Sequence, residues 1–225
     1  MEARYICMIV IAYYSNDGYR NMVYRLAGIC DSWGIRFRAY NRAWLERQPE
    51  YQPNRAILDV ARGNGYWAWK PLIMLDALKQ DPEVIYLDSS VVPISKEALR
   101  YMPENTTGIT AIASDFDHCD WTKPECFRIM HCTTMKYLMA KQVWAGVVCA
   151  TLDGKPILKE WKKFCLVQEA VADDITFRNH RHDQSILTNL LIKYNKIPLV
   201  AFPGTFEDVL DYGGTYKRPQ NFEEA

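Results

Sequence analysis

The sequence has few of the features that mark specialised protein classes. Its 225 residues include only 11 glycines and 11 prolines, too few for a collagen-like or low-complexity chain. The hydrophobic fraction of 49% and the charged fraction of 24% also exclude the disordered class. An ordinary globular protein remains, and its length favours a single core.

The sequence carries no net charge at neutral pH, because 27 Lys and Arg balance 27 Asp and Glu. No long-range field therefore draws the protein toward polyanions, and we expect no nucleic-acid partner. The longest apolar stretch, residues 5–14, is roughly half of what a bilayer crossing needs. Without a leader-like start, this predicts a cytoplasmic protein with no transmembrane segment.

The seven cysteines lack the spacing of a metal or disulfide framework, since they are odd in number and contain no C-x-x-C pair. Cys119, Cys126 and Cys132 lie near His118 and His131, but the spacing is poor for zinc. Buried or incidental thiols in a reducing compartment are the favoured interpretation, and a zinc site is the alternative.

What the sequence does contain is the strand and helix alternation of an α/β protein. The apolar run over residues 6–12 predicts a strand buried on both faces. A helical pattern ending at Gly34 and a second strand over residues 35–40 follow. This β-α-β opening is typical of a doubly wound nucleotide-binding sheet, which binds ligands beyond the carboxyl ends of its strands.

Periodicity predicts further elements along the rest of the chain. We expect helices over residues 55–62, 71–79, 95–102, 155–172 and 183–194, and strands over residues 84–87, 108–113, 143–150 and 197–201. Residues 1–216 should form one domain. Residues 217–225 have no core pattern and are expected to be a tail, or a linker to a further domain.

One predicted strand ends in a candidate metal ligand. Asp88, Ser89 and Ser90 follow the strand over residues 84–87. A carboxylate at such an edge can hold a hard divalent cation against a diphosphate. Asp is also a common turn residue, so this feature alone fits both interpretations.

Two longer motifs resemble those of a known family. Residues 62–71 (RGNGYWAWKP) resemble the G-x-G-Y-W-x-W-K-P signature of small polysaccharide glycosyltransferases with the GT-A fold. Residues 180–187 (HRHDQSIL) resemble their H-R-x-D-Q-S block, and residues 120–123 and 144–148 also have counterparts. The resemblance covers roughly residues 5–205 in consistent order. It implies an α/β GT-A fold, with a mixed central sheet flanked by helices.

The resemblance implies transfer of a hexose or deoxyhexose from a UDP-sugar to a glycan acceptor hydroxyl, with Mn²⁺ or Mg²⁺ as cofactor. Such enzymes build bacterial surface or large-virus capsid glycans, and a viral enzyme would act in the host cytoplasm. The implied donor-binding residues are Tyr13, Tyr14, Arg62, Gly63, Lys70, Asp88, Ser89, Ser90, Trp144, Gly146, Arg181, His182 and Lys217.

The implied metal site departs from the usual D-x-D pattern, because Ser90 stands in place of the second carboxylate. A hydroxyl is the poorer ligand for these cations. Residues 211–217 are similar to the H-x-x-G-x-x-K segment of retaining enzymes, with Asp211 in place of the metal-binding His and Lys217 as the phosphate contact. The expected metal ligands are Asp88, Ser90 and Asp211, and a plain polar loop is the alternative for residues 211–217.

Asp183 and Gln184 are the candidate catalytic residues, because this position faces the anomeric carbon and the acceptor in the family. An inverting enzyme would use Asp183 as general base. A retaining enzyme would use either residue to orient or stabilise an oxocarbenium-like sugar, and the D-Q pair with residues 211–217 favours retention. A helix cap is the structural alternative for Asp183.

The other motif residues have both ligand-binding and structural interpretations. Gly63 and Gly65 would let the backbone approach a ligand closely. Tyr13 and Tyr14 are placed to stack on a base, although a ring that points inward would pack under the sheet. At least one of the tryptophans at 67 and 69 is expected to be a core clamp. His180 and His182 are expected to position phosphate or acceptor.

Two other functions share some of these features. A sugar-nucleotide nucleotidyltransferase normally has a Gly-rich, basic loop after its first strand, whereas only Gly18 occurs here. A non-catalytic carbohydrate- or nucleotide-binding domain would explain the aromatic surplus and the missing second carboxylate. The combination of Lys70, Asp88 and Asp183 favours the enzyme.

Overall fold

The computed structural model describes residues 8–104, 106–196, 198–199, 206–208 and 216–225. The strands are β1 (Met8–Tyr14), β2 (Arg36–Asn41), β3 (Glu83–Leu87), β4 (Val91–Pro93), β5 (Ile109–Asp117), β6 (Lys141–Thr151), β7 (Phe206–Asp208) and β8 (Glu223–Glu224). The helices are α1 (Asp17–Ser32), α2 (Arg42–Glu46), α3 (Arg55–Leu58), α4 (Gly63–Tyr66), α5 (Lys70–Ala77), α6 (Lys96–Glu104), α7 (Pro124–Ile129), α8 (Met135–Leu138), α9 (Lys155–Cys165), α10 (Gln168–Val171) and α11 (His182–Lys193).

The described strands form a mixed central sheet in the order β5-β6-β3-β1-β2-β8. β1 runs parallel to β2 and β3, whereas β6 is antiparallel to both β3 and β5. β4 and β7 form a separate antiparallel pair. The α/β fold with a mixed sheet, predicted from the sequence, is confirmed.

β1 shows why its apolar run forms the centre of the sheet. Ile9 and Ile11 face a core layer that includes side chains from α5, α9 and α11. Val10 and Ala12 face the opposite layer, which includes side chains from α1 and α6. Because alternate residues point to opposite faces, a strand covered by helices on both sides has to be apolar throughout.

Three predicted elements differ clearly from the structure. The helix expected over residues 55–62 ends at Leu58, as α3. The single helix expected over residues 155–172 is two helices, α9 and α10, because Val167 adopts an extended conformation between them. Of the strand expected over residues 197–201, Leu199 forms a parallel bridge with Ile112. Residues 197, 200 and 201 lie outside the described ranges.

The end of the chain, expected to be a tail or linker, packs against the sheet instead. β8 pairs with β2, and the Ala225 amide donates a 3.0 Å hydrogen bond to the Ala39 carbonyl. Phe222 is buried and packs edge-on against Tyr24, with ring centroids 4.9 Å apart. One aromatic anchor and the free edge of β2 therefore hold an otherwise polar segment.

The described helices give no sign of a membrane span. None of those that the structure describes combines the length and the apolar character that a bilayer crossing needs.

Candidate active site

Two neighbouring cavities open at the carboxyl ends of β1 and β3. Asp88 and Trp67 line both of them. The larger cavity has a volume of about 450 Å³ and is lined by Tyr13, Ser15, Asn16, Tyr19, Ala61, Gly63, Asn64, Trp67, Trp69, Tyr86, Asp88, Ser89 and Ser90. The smaller has a volume of about 130 Å³ and is lined by Arg62, Trp67, Lys70, Asp88, Trp144, Gly146, Arg181, His182, Asp183 and Gln184.

Lys70 is the buried cation of this site. It begins α5, and its side chain is only 4% exposed. Its Nζ lies 3.2 Å from Asp88 Oδ1 and 3.4 Å from Asp183 Oδ2, and it donates a 3.0 Å hydrogen bond to the Ala145 carbonyl. Burial disfavours the ammonium, but the two carboxylates outweigh burial and raise the pKa of Lys70. Lys70 therefore remains charged, and its charge compensates the carboxylates.

Asp183 is a buried carboxylate with spare hydrogen-bonding capacity. Burial raises its pKa to about 7, although the Lys70 charge acts in the opposite direction. Its Oδ2 lies 3.4 Å from Lys70 Nζ and accepts no hydrogen bond of good geometry from the described residues. The N-cap of α11 is Arg181, without a side-chain capping bond. Asp183 therefore lies within the helix rather than in the cap position that was the alternative.

Asp88 offers one oxygen toward the cavities. The Tyr86 hydroxyl donates to Oδ1, the oxygen that also faces Lys70. Within the described ranges, Oδ2 is thus the oxygen left for a cation, and the side chain is 29% exposed. Ser90 lines the same cavity wall. These hard oxygen donors suit Mn²⁺ or Mg²⁺.

The rest of a cation's coordination shell has to come from elsewhere. Across the residues that the structure describes, no three His, Cys, Asp or Glu side chains cluster in a metal-binding arrangement. The predicted ligand Asp211 lies outside those residues. Of the three predicted ligands, the described part of the chain therefore contributes the Asp88 carboxylate and Ser90.

Gln184 positions one wall of the smaller cavity. Its Oε1 accepts a 3.1 Å hydrogen bond from the Ala145 amide, and its Nε2 donates to Gln142 Oε1 at 2.7 Å. A Cβ added to Gly146 would lie 2.6 Å from the Trp144 ring. The two hydrogen bonds of Gln184 thus fix this wall, and the missing side chain of Gly146 leaves room for the Trp144 ring to pack against the Gly146 backbone.

The glycines of the 62–71 motif serve the chain's own packing. Gly63 has φ +58° and Gly65 has φ +99°. A Cβ at Gly63 would lie 2.3 Å from the Trp67 ring, and one at Gly65 would lie 2.7 Å from Leu58 Cα. Gly63 still lines the larger cavity. The groups that approach the two glycines closely are Trp67 and Leu58, rather than the ligand that we expected.

The two predicted base-stacking tyrosines have other partners. Tyr13 is 5% exposed and stacks on Trp69, with ring centroids 4.0 Å apart. The Tyr14 hydroxyl donates to the Glu224 carboxylate, and Tyr14 lines neither cavity. Of the two tyrosines, Tyr13 is thus the one whose ring points inward. Of the two tryptophans, Trp69 packs in the core against Tyr13, whereas Trp67 is half-buried and lines both cavities.

The two motif histidines have different environments. Arg62 Nε lies 3.0 Å from His182 Nε2, and because a guanidinium can only donate, Nε2 is the acceptor. The His182 ring therefore carries its proton on Nδ1, which donates to the Val171 carbonyl at 2.8 Å. Burial lowers its pKa to about 4, so this cavity-lining ring is neutral. His180 is buried and bonded to the Ala170 carbonyl at 2.9 Å. It lines neither cavity, contrary to expectation, and serves the core.

Solved structures with the same architecture identify this fold. No protein-family model and no curated protein sequence matches the chain. Mouse xyloside xylosyltransferase 1 superimposes with a TM-score of 0.50 at 12% identity, covering 86% of this chain and 84% of that chain. The bifunctional glycosyltransferase WbbM superimposes with a TM-score of 0.53 at 10% identity, covering 86% of this chain and 38% of that chain. The chain has the GT-A fold.

Within this GT-A fold, most of the predicted site residues lie together. The smaller cavity brings together nine of them: Arg62, Lys70, Asp88, Trp144, Gly146, Arg181, His182, Asp183 and Gln184. The larger cavity adds Tyr13, Gly63, Ser89 and Ser90. Lys217 is exposed and lines neither of these two cavities.

Sequence reasoning missed several residues of the GT-A cavity. Ser15 and Asn16 follow β1, and Asn16 caps α1 by accepting a 3.2 Å hydrogen bond from the Tyr19 amide. The same residues line the larger cavity together with Tyr19 and Tyr86. The signal was available, because residues that follow a parallel strand lie at the ligand-binding edge of the sheet.

Proposed function

We propose that the protein is a glycosyltransferase that moves a hexose or deoxyhexose from a UDP-sugar to a hydroxyl of a glycan acceptor. The observation that carries this proposal is the ammonium of Lys70 between two carboxylates. Asp88 belongs to both cavities, and Asp183 belongs to the smaller one. This arrangement joins a nucleotide-sized cavity to a small reaction chamber.

The larger cavity is proposed to hold the nucleotide. Its volume of about 450 Å³ falls in the range of small-molecule sites. Tyr19 and Trp67 supply aromatic surface for the base, and Ser15 and Asn16 supply polar groups for the ribose. Asp88 marks the passage to the smaller cavity, so the diphosphate would lie there.

The leaving diphosphate gains negative charge as its bond to the sugar breaks. Arg62, Lys70 and Arg181 all line the smaller cavity and place positive charge where that charge develops. Preorganised cations aimed at the developing charge stabilise such a transition state. Asp88 and Ser90, with the predicted Asp211, would hold Mn²⁺ or Mg²⁺, which neutralises diphosphate charge when bound.

Asp183 is proposed to act at the reacting atoms. The anomeric carbon loses its diphosphate oxygen and gains the acceptor oxygen, and the acceptor hydroxyl loses a proton. In an inverting reaction, Asp183 accepts that proton. Its pKa of about 7 suits a general base at neutral pH. In a retaining reaction, which the sequence favours, the departing diphosphate takes the proton and Asp183 stabilises the positively charged sugar.

The Asp183→Asn variant tests this role directly. UDP-sugar turnover should fall by about 10²-fold or more, while UDP affinity measured by calorimetry stays within about twofold, because Asp183 faces the reaction chamber rather than the nucleotide cavity. Asp153→Asn, on an exposed residue, is the matched control and should retain wild-type turnover. Near-normal turnover of Asp183→Asn would reject the chemical role. The anomeric configuration of the product, read by NMR, distinguishes retention from inversion.

A further inference from the structure

A stack of side chains continues from the smaller cavity onto the protein surface. The Arg181 guanidinium lies over the Trp121 ring, 4.2 Å from its centroid. The Phe116 ring follows, with its centroid 5.0 Å from that of Trp121. Arg181 also lines the cavity that contains Asp183. Phe116, Trp121 and Arg181, here called the aromatic platform, therefore lead outward from the reaction chamber.

The outer end of the platform is open to ligands. Phe116 is 54% exposed, and Trp121 is half-buried. Burial of the Phe116 ring against a partner would remove a large apolar surface from water. The Phe116 ring is tilted by 54° from that of Trp121, so its exposed face is the apolar surface on which a sugar ring can pack.

The platform is fixed to the helix that carries Asp183. The Trp121 carbonyl accepts hydrogen bonds from the Arg181 amide at 3.1 Å and from Ser185 Oγ at 2.9 Å. Gln142 Nε2 donates to the same carbonyl at 3.3 Å. A group resting on the platform is thereby held in a defined position relative to Asp183, as a preorganised subsite requires.

The charge around Phe116 selects among possible glycans. Asp115 and Asp117 flank Phe116 in β5, Asp120 precedes Trp121, and all three are exposed. Lys141 bonds to Asp117, and that bond together with the charges of all three carboxylates raises the pKa of Lys141. The three carboxylates outnumber the two cations, Lys141 and the Arg181 guanidinium over Trp121. The surplus of negative charge disfavours an anionic ligand, whereas the carboxylates can accept hydrogen bonds from neutral sugar hydroxyls.

We infer that the aromatic platform is the acceptor subsite and that it binds a neutral glycan. The terminal sugar of the acceptor enters the smaller cavity beside Arg181, and the next sugar packs on Phe116 and Trp121. This inference rests on the proposed function, since the platform has a catalytic use only if a sugar is transferred at Asp183.

The test begins with a printed array of neutral and acidic oligosaccharides, probed with the labelled 225-residue chain in the presence of UDP. Wild type should bind neutral glycans, and Phe116→Ala should weaken that binding by about tenfold, whereas Phe116→Tyr should restore it. Leu152→Ala removes another exposed apolar side chain and should bind as wild type does. Binding restricted to acidic glycans, or equal binding by Phe116→Ala and wild type, would overturn the inference.

Kinetics with the neutral glycan that binds best separate this inference from the proposed function. Phe116→Ala should raise the acceptor KM by about tenfold, with kcat within about twofold of wild type, because the ring binds the acceptor away from the reacting atoms. An unchanged acceptor KM would overturn the subsite alone. Absence of UDP-sugar hydrolysis in wild type, with or without Mn²⁺, would instead overturn the proposed function.

Discussion

Lys70 Nζ lies 3.4 Å from Asp183 Oδ2, and neither side chain is more than 5% exposed. Such a pair is a poor source of net stability, because both charges lose their hydration on burial. The same burial raises the pKa of Asp183 and excludes water from its carboxylate. The pair therefore fits a reaction centre better than a structural support.

Replacing Lys70 should destabilise the protein and abolish transfer. Lys70→Met leaves Asp88 and Asp183 without their shared counter-charge, and breaking a buried ion pair costs about 3–5 kcal/mol. Urea unfolding measures the loss. The double variant Lys70→Met/Asp183→Asn removes one uncompensated charge and should recover part of the stability without recovering activity. Wild-type stability in Lys70→Met would show that the ammonium does not compensate these carboxylates.

Gly63 and Gly34 form a matched pair for the motif loop. Gly34 has φ +65° and open space around a new Cβ, so Gly34→Ala should cost only about 1 kcal/mol of backbone strain. Gly63→Ala adds a clash with Trp67, whose ring lines both cavities. It should therefore lower UDP affinity by calorimetry, whereas Gly34→Ala should leave that affinity near wild type. Equal UDP affinities in the two variants would show that the Trp67 ring does not contribute to UDP binding.

Acid should destabilise the protein through buried neutral histidines. His118 bonds to Asn189 Oδ1 and Thr122 Oγ1, each at 3.0 Å, and burial lowers its pKa to about 4. The unfolded chain binds this proton below about pH 6.5, so stability is lost as the pH falls from 6.5 toward 4. The shift is worth on the order of 3 kcal/mol.

Urea unfolding at pH 7, 5.5 and 4.5 measures this acid effect. His118→Gln keeps a polar side chain in the network but has no proton to gain, so its free energy of unfolding should fall less steeply than that of wild type. Parallel pH dependence in the two proteins would place the acid sensitivity elsewhere.

Local sequence patterns predicted the strands and motifs that surround the site. The continuous apolar run of β1 required a strand with helices on both faces, and such a strand ends at the ligand-binding edge. The motif around Lys70 and the block around Asp183 supplied the buried charged residues of the smaller cavity. Their meeting at one ammonium could not be predicted, since the two segments are separated by more than a hundred residues along the chain.

What the sequence left open or missed concerns side-chain direction and tertiary partners. Tyr13 lies at the expected strand end, but Trp69 covers its face. Gly63 and Gly65 fit a ligand-binding loop equally well by sequence, and only the positions of Trp67 and Leu58 show what they accommodate. Phe222 is the one apolar anchor of a polar segment, too weak a pattern to predict a strand.

Calorimetric titration of the 225-residue chain with UDP, with and without Mn²⁺, tests the central claim most directly. Wild type should bind UDP, and Mn²⁺ should strengthen that binding. Asp88→Asn weakens the anionic ligand of the cation while keeping its shape, so it should lose most of the gain from Mn²⁺. No heat of UDP binding by wild type, either with or without Mn²⁺, would contradict the proposal that this site takes a UDP-sugar.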